Sequence, residues 1–323
     1  MLYPMLFKPV YRDYIWGGTS IAGAFSRENT PTPCAESWEI SAHPDGMSIV
    51  ENGEYAGKPL QELCEELGQD LLGSFCEGKV FPLLIKLIDA KERLSVQVHP
   101  NDESAKRYGG EAKKEMWYIL DAKEDGKVCA GLKQGTGPRK FKDAIHDKVV
   151  TSLLTEVPVA KDKAIFIPGG LVHAICEGCM IYEVQQNSNT TYRVYDWDRV
   201  GPDGKGRPLH IREAMEVIDW HAPNIGLLNA IPMSANSKAN KRERILRCDY
   251  FTMERYTLAE AENFENDGTS FISLFAQNSA IVVKVDGVDY SVPAGRSCLI
   301  PAGIKNFIVE GAEPSARILV VHI

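Results

Sequence analysis

The stretch 94–117, LSVQVHPNDESAKRYGGEAKKEMW, concentrates side chains suited to holding a cation. Leu94, Val96 and Val98 alternate with Ser95, Gln97 and His99, so an extended chain sends the aliphatic set to one face and the polar set to the other. Gln97 and His99 then point the same way, roughly 6.6 Å apart at Cα, and an amide oxygen and an imidazole nitrogen can each reach one ion at about 2 Å. Pro100-Asn101-Asp102 ends the strand with turn chemistry. After a polar excursion punctuated by Gly109-Gly110, KKEMWYIL reads as a second strand, with Glu115, Trp117 and Ile119 on one face and Lys113 at the same parity. An amide, an imidazole and a carboxylate on two strands are three candidate ligands; the same Gln-x-His pair also suits a polar sheet face.

Other elements have to bring such groups together. FPLLIKLIDA (81–90) is a buried strand interrupted by Lys86, which reads either as an edge or snorkelling lysine or, facing a cavity, as an anion contact. AIFIPGGLVHAIC (164–176) reads as a hairpin whose second arm presents His173. The following strand places Ile181, Glu183, Gln185 and Asn187 on one parity, and beyond the NSNTT turn Arg193, Tyr195 and Trp197 share another. Helical spacing occurs at 58–73, in two short patterns within 139–155, and at 207–221. Residues 1–56 look like outer strands joined by turns, and 224–245 reads as a polar linker carrying the solvated basic run KANKRER.

An internal repeat singles out one histidine. FIPGGLVHAICEG (166–178) and LIPAGIKNFIVEG (299–311) align without a gap at an offset of 133 residues, with six of thirteen positions identical. They read as two homologous β units. His173 is matched by Asn306, as expected of one active and one structural copy. His43, His146, His210, His221 and His322 have no comparable setting and are read as surface or core.

The 323 residues suit two domains: a metal-binding unit at 1–223, the linker at 224–245, and a C-terminal unit without ligands at 246–323. The formal charge of −8 disfavours a nucleic-acid partner. No continuous apolar run or basic leader marks a membrane segment, so a cytoplasmic protein is expected, as a monomer or homodimer. Eight scattered cysteines form no framework. Cys176-Glu177-Gly178-Cys179 lacks the second pair of a four-cysteine zinc site and the βαβ setting of a redox motif.

The Pro-x-Gly-x-x-His hairpin resembles the second motif of the cupins, jelly-roll barrels with a metal in the barrel mouth. Gln97-x-His99 in place of two histidines, with KKEMWY, PGGLVHAI, NSNTTYRVYDWDR, YIWGG and AESWEISAHPDG, resembles the type I phosphomannose isomerases over essentially the whole chain. The resemblance implies a mainly β protein of two cupin-type jelly-roll β-barrel units with a few accessory α-helices. It implies Zn²⁺, one per chain, on Gln97, His99, Glu115 and His173, with Arg193 as catalytic arginine. Such a set carries one negative charge and leaves the ion a net field of about +1. The substrate would be a small phosphorylated sugar, mannose 6-phosphate or fructose 6-phosphate, interconverted through an enediol. Glu183 and Lys113 are rival candidates for the base, and Lys86 and Lys113 for the substrate phosphate. An isomerase of broader or unphosphorylated aldoses and a non-catalytic sugar-binding cupin stay open; an oxygenase is disfavoured by Gln97, since redox iron calls for histidine there.

Overall fold

A computed structural model describes every residue of the 323-residue chain except Glu77, Lys79 and Pro202. The chain divides into two compact units, one of residues 11–37 and 85–228, the other of residues 1–10, 38–84 and 229–323.

The unit of 11–37 and 85–228 rests on two sheets. One runs in the order Ala164–Ile167, Glu115–Ala122, Cys179–Gln186, Leu83–Ala90, Glu36–Ser41, Val10–Arg12, and the boundary between units falls inside the Glu36–Ser41 and Leu83–Ala90 strands. The other runs Tyr192–Tyr195, Val96–Val98, His173–Ile175, Lys127–Leu132, Leu154–Pro158. Trp117, Ile119, Ile165 and Ile181 of the first meet Val128, Ala130 and Ile175 of the second in one buried cluster, the alternating inward set of a sandwich. The far face of the second sheet, Val96, Val98, Cys129, Ala174 and Val194, packs on Phe141, Ala144 and Ile145 of the Pro138–His146 helix and on Ala214 and Val217 of the Ile211–Val217 helix. Helices therefore cover one face of that sheet, and the opposite face is left for Gln97 and His173.

The unit of 1–10, 38–84 and 229–323 repeats the plan with an eight-stranded and a four-stranded sheet around a core that includes Leu274, Ile281, Val283, Ile300, Val309 and Ile318. The repeat is structural as well as sequential: Ala164–Ile167 and His173–Ile175 correspond at the 133-residue offset to Ser297–Ile300 and to the start of Asn306–Gly311. The protein is thus mainly β, with sheets arranged as in jelly rolls and few helices. No helix among the described residues is long and apolar enough to cross a membrane.

Several expectations are corrected. The metal-binding unit is not the contiguous 1–223: Met5–Lys8 pairs with Ser297–Ile300, a long-range pairing that no local pattern announces. The stretch 224–245 is not simply linker, since Ile231–Met233 and Lys241–Arg247 are strands of the eight-stranded sheet. Ile231–Met233 is its edge strand and Lys241–Arg247 the next one in, and the basic run is matched by Arg242–Glu254 and Glu243–Arg255 ion pairs. The helix at 58–73 is interrupted at Gly68, whose φ of 52° separates Leu60–Leu67 from Gln69–Leu72. The Pro-Gly-Gly turn does not close a hairpin: its two arms lie in different sheets, so it is a crossover.

Candidate metal centre and cavity

Hydrogen-bond register sets the geometry of the site. Within the five-stranded sheet Gln97 sits opposite His173 on one side and Arg193 on the other, so three candidate residues form one row across three adjacent strands. Glu115 comes from the facing sheet, opposite Ile167 and Gln185, and Glu183 lies opposite Trp117, one inward position along.

His99, Glu115 and His173 are buried, and their ligand atoms lie within 4.8 Å of one another. Each imidazole is oriented by a backbone carbonyl: His99 Nδ1 donates to Thr190 O at 2.8 Å and His173 Nδ1 to Leu171 O at 2.8 Å. That tautomer leaves both Nε2 lone pairs facing inward, 3.2 Å apart. Glu115 Oε1 stands 3.3 Å from His173 Nε2, and Oε2 stands 3.6 Å from His99 Nε2 and 2.8 Å from the Lys113 ammonium. Lone pairs pointed at one another repel unless a cation lies among them. Burial, with help from Lys113, pushes His99 down to about 3, and burial also lowers His173. Both are therefore neutral, as ligation requires. Burial works against ionisation of Glu115, but the Lys113 ammonium at 2.8 Å holds its carboxyl well below the ordinary carboxylate range. Two imidazoles and a carboxylate form a donor set suited to zinc. Gln97 turns its Nε2 to His173 Nε2 at 3.4 Å and its Oε1 to Ser95 Oγ at 3.1 Å. To serve as a ligand it must rotate its amide by half a turn and present oxygen.

Next to this cluster is a cavity of about 280 Å³, at the small end of ligand sites. Trp16, Ile88, Leu94, Trp117 and Ile175 give it apolar walls, and Lys86, Lys113, Arg193, Arg207, Glu36 and Glu183 also line it. Lys86 is 4% exposed, so it is neither an edge nor a snorkelling residue. Its ammonium lies 3.6 Å from Glu36 and 3.3 Å from Glu183. Burial alone would lower its pKa, but the two carboxylates outweigh burial and raise it. Glu183 takes a 2.9 Å hydrogen bond from Trp117 Nε1 on its other oxygen, and burial first, then Glu115, pushes its pKa up to about 7.

Arg193 is fixed by its surroundings: Nε donates to Ser95 Oγ at 3.2 Å and one terminal nitrogen to Pro208 O at 3.0 Å. Burial lowers its pKa, and an arginine remains cationic nonetheless. The expected shared face of Arg193, Tyr195 and Trp197 does not form. The pairing slips between Arg193 and Tyr195, and both aromatics pack on the helix-covered face.

Sequence reasoning missed several participants. Ser95 links Gln97 to Arg193; its parity with Gln97 was the available signal. His210 accepts from the Arg193 backbone N–H at 3.3 Å and returns a bond to its carbonyl. Arg207 and Arg199 are held by Asp196, and nothing local points to either. Cys176 faces Cys129 at 3.9 Å while Cys179 turns to the Lys127 carbonyl, so the CxxC residues do not converge. Ser95→Ala is expected to keep the metal and lower kcat roughly tenfold, the cost typical of losing an orienting partner; a variant with wild-type kcat would show the link to be idle.

Comparison with known proteins agrees with this geometry. The catalytic domain of the type I phosphomannose isomerases matches residues 5–151, and the mannose-6-phosphate isomerase cupin domain matches 241–323. A probable mannose-6-phosphate isomerase, GmuF of Bacillus subtilis, is 36% identical over 96% of this chain and 97% of its own. Mannose-6-phosphate isomerase ManA of the same organism is 35% identical over 95% and 96%. A crystal structure of mannose 6-phosphate isomerase from Bacillus subtilis superposes with a TM-score of 0.90 at 31% identity, covering 99% of both chains.

Proposed function

Since this chain belongs to the type I phosphomannose isomerase family, we propose that it interconverts mannose 6-phosphate and fructose 6-phosphate, using zinc held by Gln97, His99, Glu115 and His173. The observation that carries the reading is the convergence of His99, Glu115 and His173 lone pairs beside a cavity where Arg193 stands in register with Gln97. The ion, when bound, supplies Lewis acidity that polarises a substrate oxygen without redox chemistry.

The remaining work falls to side chains of the cavity. Glu183 is the base: it takes the proton from C2 of the aldose and returns it to C1, while the O2 hydroxyl proton passes to O1, giving the ketose through an enediol intermediate. A carboxylate with a pKa near 7 suits both halves of that transfer. Arg193 cannot yield its proton, so it donates hydrogen bonds to the oxygen that gains charge in the enediolate. Lys113, whose ammonium is tied to Glu115, and Lys86, between Glu36 and Glu183, contact substrate oxygens from the cavity floor. Four cationic side chains against two carboxylates along the cavity favour a phosphorylated over a neutral sugar.

The test is isomerisation of mannose 6-phosphate by purified protein, followed through a coupled fructose 6-phosphate assay before chelation, after chelation and after Zn²⁺ is restored. Turnover is expected to vanish and return. Absence of turnover in folded, zinc-replete protein would sink the reading, and faster turnover of free mannose would redirect it to unphosphorylated aldoses.

A further inference from the structure

We infer that Glu36 is a positioning residue for this reaction, acting through Lys86 to keep Glu183 from acquiring a lysine of its own. The inference rests on the reading of Glu183 as the base. Lys86 Nζ is 3.6 Å from Glu36 Oε2 and 3.3 Å from Glu183 Oε2, so one buried ammonium lies between the two carboxylates. The three side chains are 12%, 5% and 4% exposed, so water does little to screen the competition. A buried ammonium shared between two carboxylates stabilises each anion less than one closed onto a single partner.

The groups around Glu183 can be named strand by strand. Lys86 comes from Leu83–Ala90 and Glu36 from Glu36–Ser41. Glu115 and Trp117 come from Glu115–Ala122, with Lys113 just before it, and Tyr14, Arg193 and Arg207 lie elsewhere along the cavity wall. After burial and Glu115, the cations Lys86 and Lys113 lower the Glu183 pKa and Glu36 raises it. Neutralising Glu36 both deletes a repelling charge and frees Lys86 to close on Glu183. The two effects have the same sign, towards a more acidic and weaker base. A bound metal ion offsets Glu115 equally in the wild type and in the variant, so it does not alter the direction of the change.

The experiment is the pH profile of kcat/KM for mannose 6-phosphate at saturating Zn²⁺, so that loss of metal does not set the acid limb. The limb is expected to move to lower pH in Glu36→Gln by about half a unit or more, with a several-fold fall in kcat on the plateau as the base weakens. Glu36→Asp keeps the charge at a longer reach and is expected to lie between wild type and Glu36→Gln, which keeps the test available should the glutamine variant fold poorly. A uniform fall in kcat/KM with the limb unmoved in both variants would overturn the inference and leave Glu36 a packing residue. Glu183→Gln separates the two claims. If it retains turnover, the base assignment fails; if it is inactive while the Glu36 limbs coincide with wild type, only the role of Glu36 fails.

Discussion

His173→Ala is expected to lose zinc and turnover together. The imidazole is fully buried, oriented by Leu171 O, and carries one of the convergent lone pairs. Without it the ion keeps Glu115, His99 and the adjacent amide, a set with no second imidazole. Lewis-acid stabilisation of developing charge contributes several kcal/mol, and each 1.36 kcal/mol or so is a factor of ten in rate, so kcat should fall about a thousandfold or more. Metal content by elemental analysis should drop from about one per chain towards zero. Far-UV circular dichroism should be little changed, because the Val128, Ala130 and Ile175 packing on either side of the residue persists. A variant that binds a full equivalent of zinc with wild-type affinity would remove His173 from the ligand set, whatever its activity.

Arg193→Ala should separate metal binding from catalysis. Its guanidinium is held by Ser95 and Pro208 rather than by any ligand of the metal cluster, so the zinc content is expected to stay near one. Losing one preorganised donor to a developing oxyanion costs about 10²–10³ in kcat, and the fall should appear in kcat rather than in KM. Arg193→Lys should recover little, because a single ammonium cannot keep the two directed bonds that fix the planar fork. An alanine variant with raised KM and intact kcat would make the residue a ground-state contact and transfer the oxyanion role elsewhere in the cavity.

The parts of this site that were legible in the sequence were those governed by the two-residue period. Gln97 and His99 both reach His173 Nε2, and Lys113 reaches Glu115, so each pair shares a face as parity requires. The 133-residue repeat picked out His173 and matched it with Asn306, which the structure shows to be exposed in the other unit. What escaped notice was contact between residues distant along the chain and interruption of a regular period. Glu36 meets Lys86 and Glu183 because three strands from three parts of the chain lie side by side. The slip between Arg193 and Tyr195 puts consecutive odd-numbered residues on opposite faces, and alternation alone gives no warning of it. The Pro-Gly-Gly segment looked like a hairpin because its chemistry serves a tight turn and a crossover equally; only pairing partners distinguish the two.

The row His173–Gln97–Arg193 makes the sheet a ruler. Neighbouring strands lie roughly 4.8 Å apart, so two steps of the ladder set the backbone span from His173 to Arg193 at roughly 9–10 Å. Side-chain substitutions elsewhere on these strands leave that spacing intact, and changing it means breaking backbone hydrogen bonds on both sides of Gln97. In the proposed isomerase, substrate length would therefore be measured by the backbone, while side chains such as Ser95, Lys86 and Glu36 would adjust only the charge and direction of what meets the sugar along it.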